Sequence, residues 1–323
     1  MGELCINFEY HPLGIEFVKI LIAGASGLIG QALVAAWQNQ HDIVVLGRDA
    51  DKLKKMFPQR PGITWAQLQS VEGVDVIINL AGANIGQGRW TAKRKQVILD
   101  SRVTATQQLA ALCAKASESP RLLNASAIGV YGLPATPQVF DEQSALPNPP
   151  QGFLAEVGAA WEGALSEAEQ AGVPVTKMRF GVVLAKHGGA LAKMLPAFKL
   201  GLGGPIGSGQ QRFSWVALAD IVRAIAFLVE HPELTGPVNI VAPEVVTQKH
   251  FSQVLGKALH RPAFFPLPAW LVKLQFGQMG EELLLNGVSV ISQVLTDAQF
   301  TFAYPNLSAA LQHVLTTRSK TYF

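Results

Sequence analysis

At 323 residues, 49% hydrophobic and 15% charged, the chain can hold one large α/β domain with a smaller lobe and is too apolar to be disordered. Its net charge of +3 is small, and its cations are dispersed apart from Lys93-Arg94-Lys95, so no nucleic-acid partner is expected. Cys5 and Cys113 lack metal or redox spacing, and no apolar run reaches the ~18 to 20 residues of a membrane span. A reduced, cytoplasmic protein without metal or membrane partner is therefore expected.

Residues 1–16 contain Glu3, Glu9, His11 and Pro12 and lack a basic region followed by an apolar one. They read as a loose N-terminal extension rather than a secretory leader. Residues 17–23 form an apolar run of the kind a strand buried on both faces shows. Glycines follow at 24, 27 and 30, and Gln31 to Trp37 continue at helical spacing. In such a strand–turn–helix, Gly24 turns the chain, Gly27 lets a pyrophosphate approach, and Gly30 brings the helix close to the sheet. Ser26, Gly27, Leu28, Ile29 and Gly30 open the helix, whose free N–H groups suit phosphate. The alternative is a tight turn that holds no ligand. The GxxGxxG spacing resembles that of the extended and atypical short-chain dehydrogenase/reductases.

The second strand, Ile43 to Leu46, runs into Gly47-Arg48-Asp49. An acidic residue there would bond the ribose 2′-hydroxyl of NAD; Arg48 suits the 2′-phosphate of NADP, with Lys52 a weaker partner. Otherwise Arg48 is a solvated surface cation. A helix over 49–57 stops at Pro58. Ile63 to Trp65 reads as a short strand and Val74 to Leu80 as a stronger one. The latter closes in Ala81-Gly82-Ala83-Asn84, a small-residue turn after Leu80 that leaves room for a nucleotide or is an ordinary strand-to-helix turn. A loop with Arg89 and Trp90 leads to a helix over 91–115 with Thr91 as N-cap. On it, Arg102 reaches a cofactor phosphate or pairs on Asp100's side.

Leu122 to Ser126 is the fifth strand, running into Ala127-Ile-Gly-Val-Tyr131-Gly. This resembles the S-S-x-x-V-Y-G segment of extended short-chain dehydrogenases, with the serine one residue farther from the tyrosine. The resemblance implies Ser126 as the hydroxyl that orients the reacting oxygen, with Tyr131 or a bound water as proton donor; otherwise Ser126 bonds backbone at a strand end. A helix is expected over 153–170. In the family it carries Tyr-x-x-x-Lys. None of Tyr10, Tyr131, Tyr304 and Tyr322 has a lysine four residues on; Phe153 or Leu154 stands at the tyrosine position and Val157 or Gly158 at the lysine. Glu162 falls near the vacated helix face.

Farther on, Val175 to Arg179 is a strand and His187 to Phe198 lead a helix. Gly201 to Gly209 read as a flexible loop over the site or a plain surface loop. A strand at 213–216 precedes a helix over 217–229 with Asp220 and Arg223 outward. A strand at 238–240, a Thr247-capped helix, and a helix from Ala269 with Trp270, Leu271 and Leu274 on one face follow.

Asn79-Leu-Ala-Gly82, Arg89-Trp-Thr91, Asp100-Ser-Arg-Val103, Ser126-Ala-Ile-Gly129, Trp161-Glu162, Gly181-Val-Val-Leu184 and Phe213-Ser-Trp215 together resemble the YfcH-like epimerase family, an atypical extended short-chain dehydrogenase group. That resemblance implies a doubly wound parallel sheet, Rossmann-like, with a smaller C-terminal substrate lobe. The NADP-binding half is expected over 17–182 and the lobe over 183–323, with 213–242 returning to the sheet. The implied function is an NADP-dependent oxidoreductase or epimerase-like enzyme on a small molecule. The alternatives are a non-catalytic NADP(H) sensor or adaptor, and a plain scaffold. Alanines and valines on helices 91–115 and 153–170 mildly favour a homodimer.

Overall fold

The computed structural model describes residues 18–134, 136 and 138–317; the N-terminal extension expected over 1–16 lies outside them. Seven parallel strands build the central sheet: β1 (Lys19–Ala23), β2 (Asp42–Gly47), β3 (Gly62–Thr64), β4 (Val76–Asn79), β5 (Arg121–Ala127), β6 (Val175–Phe180) and β7 (Gly236–Ile240). Their order across the sheet is β7-β6-β5-β4-β1-β2-β3. Strand β1 therefore sits between β2 and β4, where the winding reverses; in open parallel sheets ligands bind beyond the carboxyl ends of the strands at such a point.

Helices cover both faces. Ile20 and Ile22 of β1 point to one face, where Leu33 of α1 (Leu28–Ala36) and Ile221 and Ile225 of α7 (Leu218–Glu230) meet them. Leu21 and Ala23 point to the other, against Leu109 and Cys113 of α3 (Ala92–Lys115) and Leu165 and Ala168 beside α5 (Ser166–Gln170). This alternation follows from the period of two along a strand. Helix α2 (Ala50–Met56) is capped by Asp49, whose carboxylate accepts from the Lys52 N–H, and α3 by Thr91. The helix expected over 153–170 is two: α4 (Phe153–Gly163) and α5.

A second core gathers Leu191, Leu195 and Phe198 of α6 (Gly189–Lys199), Phe251 and Leu255 of α8 (Gln248–Ala258), and Leu307 and Leu311 of the last helix, Leu307–Thr316. Two expectations are corrected in this part of the chain. Asp220 is buried, not outward: its carboxylate accepts from the Ala303 N–H at 2.7 Å and the Tyr304 N–H at 3.0 Å, fastening the C-terminal segment to α7. Burial pushes its pKa up, against those two bonds and Arg223. The glycine-rich stretch is not a loose flap. The Ile206 N–H donates to Gln248 at 2.8 Å, the Gly207 N–H to the Leu267 carbonyl at 2.9 Å, and Gly203 and Gly204 are buried. Helix α9 (Ala269–Phe276) buries Val272, while Trp270 and Leu274 face outward.

Candidate functional site

The turn after β1 is dictated by space. Gly24 has φ +77°, and a Cβ there would lie 2.7 Å from the Leu80 carbonyl carbon, so only glycine lets β1 exit beside β4. A Cβ at Gly30 would fall 2.6 Å from the Ala25 Cα, which is how closely α1 lies on the strand exit. At Gly27, by contrast, a Cβ meets only the Gly24 oxygen, at 3.2 Å; the rest of its surroundings are open. Gly27 is the N-cap of α1 and no side chain caps that end, so the N–H groups of Leu28, Ile29 and Gly30 are without a helical partner. The neighbouring Ser26 carbonyl accepts from Gln31.

Strand β4 delivers Leu80, Ala81 and Gly82 to the same mouth. A Cβ at Gly82 would lie 3.1 Å from the Arg102 guanidinium carbon. Arg102 donates to the Ala83 and Ile98 carbonyls at 3.1 and 3.0 Å and lies over the Trp161 ring. Among the described residues it has no carboxylate partner; Asp100 instead accepts from Gln96. Burial, and secondarily Arg94, brings the Arg102 pKa down to about 10. A half-buried cation held by two carbonyls and an indole face, with no carboxylate, one small residue from the start of α1, fits an anionic group. At the end of β2, Arg48 beside Gly47 is exposed and makes no hydrogen bond within the described residues. These groups suit a phosphorylated dinucleotide.

Beneath the mouth runs a polar layer that local sequence patterns did not announce. Asn79 and Asn124 stand opposite each other on β4 and β5 and bond at 2.6 Å; Asn79 also reaches Thr106, which accepts from the Trp161 indole at 3.1 Å. Ser101 accepts from the Ala83 N–H at 2.9 Å. The loop over the mouth is pinned by Arg94 to the Asn84 carbonyl and by Lys193 to the Gly86 carbonyl.

Ser126 and Tyr131 are brought together, in a closed network. The Ser126 hydroxyl donates to Glu162 at 2.7 Å, and Arg179 grips the same carboxylate through Nε and Nη2, both at 2.8 Å. Arg179 Nη1 then donates to the Tyr131 hydroxyl at 2.9 Å, which also contacts Asn239 at 2.8 Å and the Asp141 carbonyl at 2.9 Å. Ser126 and Tyr131 are each 2% exposed. Burial raises the Tyr131 pKa, and the Arg179 charge only partly offsets it, so the phenol is a weak acid here. For Arg179 burial works downward, but the bonds and charge of Glu162 prevail and raise it.

The direct roles expected for the two hydroxyls therefore do not match their surroundings. The reason is parity: adjacent strand residues face opposite ways. Ser126 is buried at the end of β5 and the next residue, Ala127, is exposed. The missing Tyr-x-x-x-Lys pair has a packing counterpart. Leu154 and Gly158 face the 128–131 turn, where a Cβ at Gly129 would be 3.1 Å from Leu154 and one at Gly158 would be 2.8 Å from Val130. Phe153 and Val157 pack instead with Trp90 and Ile98. Glu282, 129 residues from Phe153, caps α4 by accepting from the Phe153 and Leu154 N–H groups at 3.1 and 2.9 Å.

With this geometry in view, comparisons with known proteins agree. The model of the NAD dependent epimerase/dehydratase family matches residues 20–241. The chain belongs to that family. A domain of unknown function, DUF1731, matches residues 267–314 of this epimerase/dehydratase family member. An epimerase family protein of Mycobacterium bovis is 39% identical over 92% of this chain and 97% of its own length. The Bos taurus epimerase family protein SDR39U1 is 35% identical over 92% and 100%. The crystal structure of human epimerase family protein SDR39U1 (isoform 2) with NADPH is similar at TM-score 0.83 and 33% identity, covering 92% of this chain and 98% of that one. No helix among the described residues is long and apolar enough to cross a membrane.

Proposed function

We propose that this chain is a cytoplasmic NADP-dependent oxidoreductase or epimerase-like enzyme of the YfcH-like branch, acting on a small-molecule carbonyl or secondary alcohol. The observation that carries the reading is Arg102: a half-buried cation without a carboxylate, beside Gly82 and the uncapped start of α1. Gly24, Ser26, Gly27, Leu28, Ile29 and Gly30 would hold the pyrophosphate, with Arg102 as its counter-charge. Gly47 and Arg48 would hold the adenosine ribose and its 2′-phosphate. Leu80, Ala81 and Gly82 would flank the nucleotide. NADPH in the human relative's structure supports this choice of cofactor. The nicotinamide, when bound, supplies hydride exchange.

The residues of this chain then orient and exclude. Ser126 and Tyr131 act through Glu162 and Arg179, holding the end of β5 and the 128–131 turn against α4. The proton comes from bound water at Ala127, since no hydroxyl of the pair faces the mouth. The lobe over 183–323 closes the substrate side, with 213–242 returning to the sheet, and α3 and α4 are the surfaces of a homodimer.

The test is single-turnover reduction of carbonyl compounds by NADPH, with Ser126→Ala as control. Loss of hydride transfer in that variant, at an unchanged unfolding midpoint, would restore Ser126 as a direct contact and refute the water route. A second reading, a non-catalytic NADP(H) sensor, is favoured by Phe153 or Leu154 and Val157 or Gly158 at the positions where the family pattern has its tyrosine and lysine. It requires tight uptake of NADPH, a clear preference between the oxidised and reduced forms, and no turnover.

A further inference from the structure

The small lobe leaves a group of large apolar side chains uncovered. Leu200, Leu202, Phe264, Trp270 and Leu274 are between 60% and 75% exposed, and Phe265 is 48% exposed. Scattered apolar residues on a surface are ordinary, but a contiguous group is not. Leu200, Leu202, Phe264 and Phe265 lie on two segments joined by backbone. A Cβ at Gly201 would lie 3.3 Å from the Pro262 ring, the Phe265 N–H donates to the Gly203 carbonyl at 3.2 Å, and the Phe264 and Phe265 rings are 4.6 Å apart. Trp270 and Leu274 follow one turn apart on α9.

The charges bordering the 199–204 and 260–265 part of this group are cations, while on α9 Lys273, between Trp270 and Leu274, is paired with Glu281 at 2.9 Å. Residues 185–215 and 245–280 contain no aspartate or glutamate. They carry Lys199, Lys257, His260 and Arg261, and the Arg261 Nε donates to the Lys199 carbonyl at 3.0 Å, so these cations border the apolar residues directly. Exposed tryptophan, phenylalanine and leucine rimmed by cations match the interfacial zone of an anionic bilayer, where rings enter the headgroup layer and cations meet lipid phosphate. The same rim opposes a second copy of this lobe, because like charges would face each other across the contact.

We propose that the 199–204 and 260–274 segments form a docking surface for an anionic membrane, which the protein meets peripherally without spanning it. Sedimentation of the full chain with vesicles tests this. Vesicles of equal parts phosphatidylglycerol and phosphatidylcholine are expected to pellet the protein at least ~10-fold more than phosphatidylcholine alone, less so as salt rises. The Phe264→Ser/Trp270→Ser and Lys199→Glu/Arg261→Glu variants change only exposed side chains and should keep the unfolding midpoint, yet each should lose pelleting. Failure to pellet with either vesicle, unchanged pelleting of both variants, or a concentration-dependent dimer that Phe264→Ser/Trp270→Ser dissolves would overturn the proposal.

Discussion

Ser126 donates a 2.7 Å hydrogen bond to Glu162, which ties the end of β5 to α4. Glu162 is shared with Arg179, and both are almost wholly buried. Removing one partner strands the other charge. Glu162→Leu is expected to cost about 3–5 kcal/mol, whereas Glu162→Leu/Arg179→Met recovers most of that loss, because an apolar pair leaves no orphan charge. Urea unfolding of the three proteins decides it; equal midpoints for the single and double variants would sink the idea.

The glycines of the first turn should separate by phenotype. Gly24→Ala places a side chain at positive φ against the Leu80 carbonyl and is expected to cost more than ~1 kcal/mol of stability. Gly27→Ala adds a methyl group that meets only the Gly24 oxygen, so its unfolding midpoint should stay near that of the parent. If Gly27 faces a pyrophosphate, its NADPH affinity nonetheless drops at least ~10-fold, about 1.4 kcal/mol. Calorimetric titration beside thermal unfolding measures both.

Arg102→Met distinguishes a ligand contact from a brace. Arg102 is half-buried and has no carboxylate partner, so a methionine of similar length, losing only the bonds to the Ala83 and Ile98 carbonyls, should lower the ligand-free midpoint only slightly. NADPH binding should weaken about 10- to 100-fold, the value of a lost charge-assisted hydrogen bond. A large drop in the ligand-free midpoint would instead mark Arg102 as a clamp on the Gly82–Ala83 turn.

His41 gives a pH signature. Burial lowers its pKa, and its ring meets Trp37 edge to face at 5.5 Å. A depressed folded-state pKa contributes stability that is present above the unfolded value and lost as pH falls through the folded one. His313, lowered by the same cause, acts in the same direction. Between about pH 7 and pH 5.5 the midpoint of His41→Phe should therefore fall less than that of the parent chain. Parallel curves would contradict it.

The sequence alone marked the apolar strands and the glycine turn, while the order of the strands came from the fold. Apolar runs at β1, β2, β4 and β5, each closed by small residues, admit few arrangements other than parallel strands buried on both faces. The Gly24, Gly27 and Gly30 turn and the arginine after β2 were legible too, because their constraints act within a few residues. Only the tertiary structure decided which way side chains face once distant elements meet. The inward turn of Ser126 depends on strand parity and on a glutamate 36 residues later. Asp220 is buried because residues 303 and 304 come back to it, and α4 is capped by a carboxylate from the far lobe. Periodicity reports local geometry; a buried polar group is matched by whichever partner the fold returns to it, and that partner leaves no trace in its neighbours along the chain.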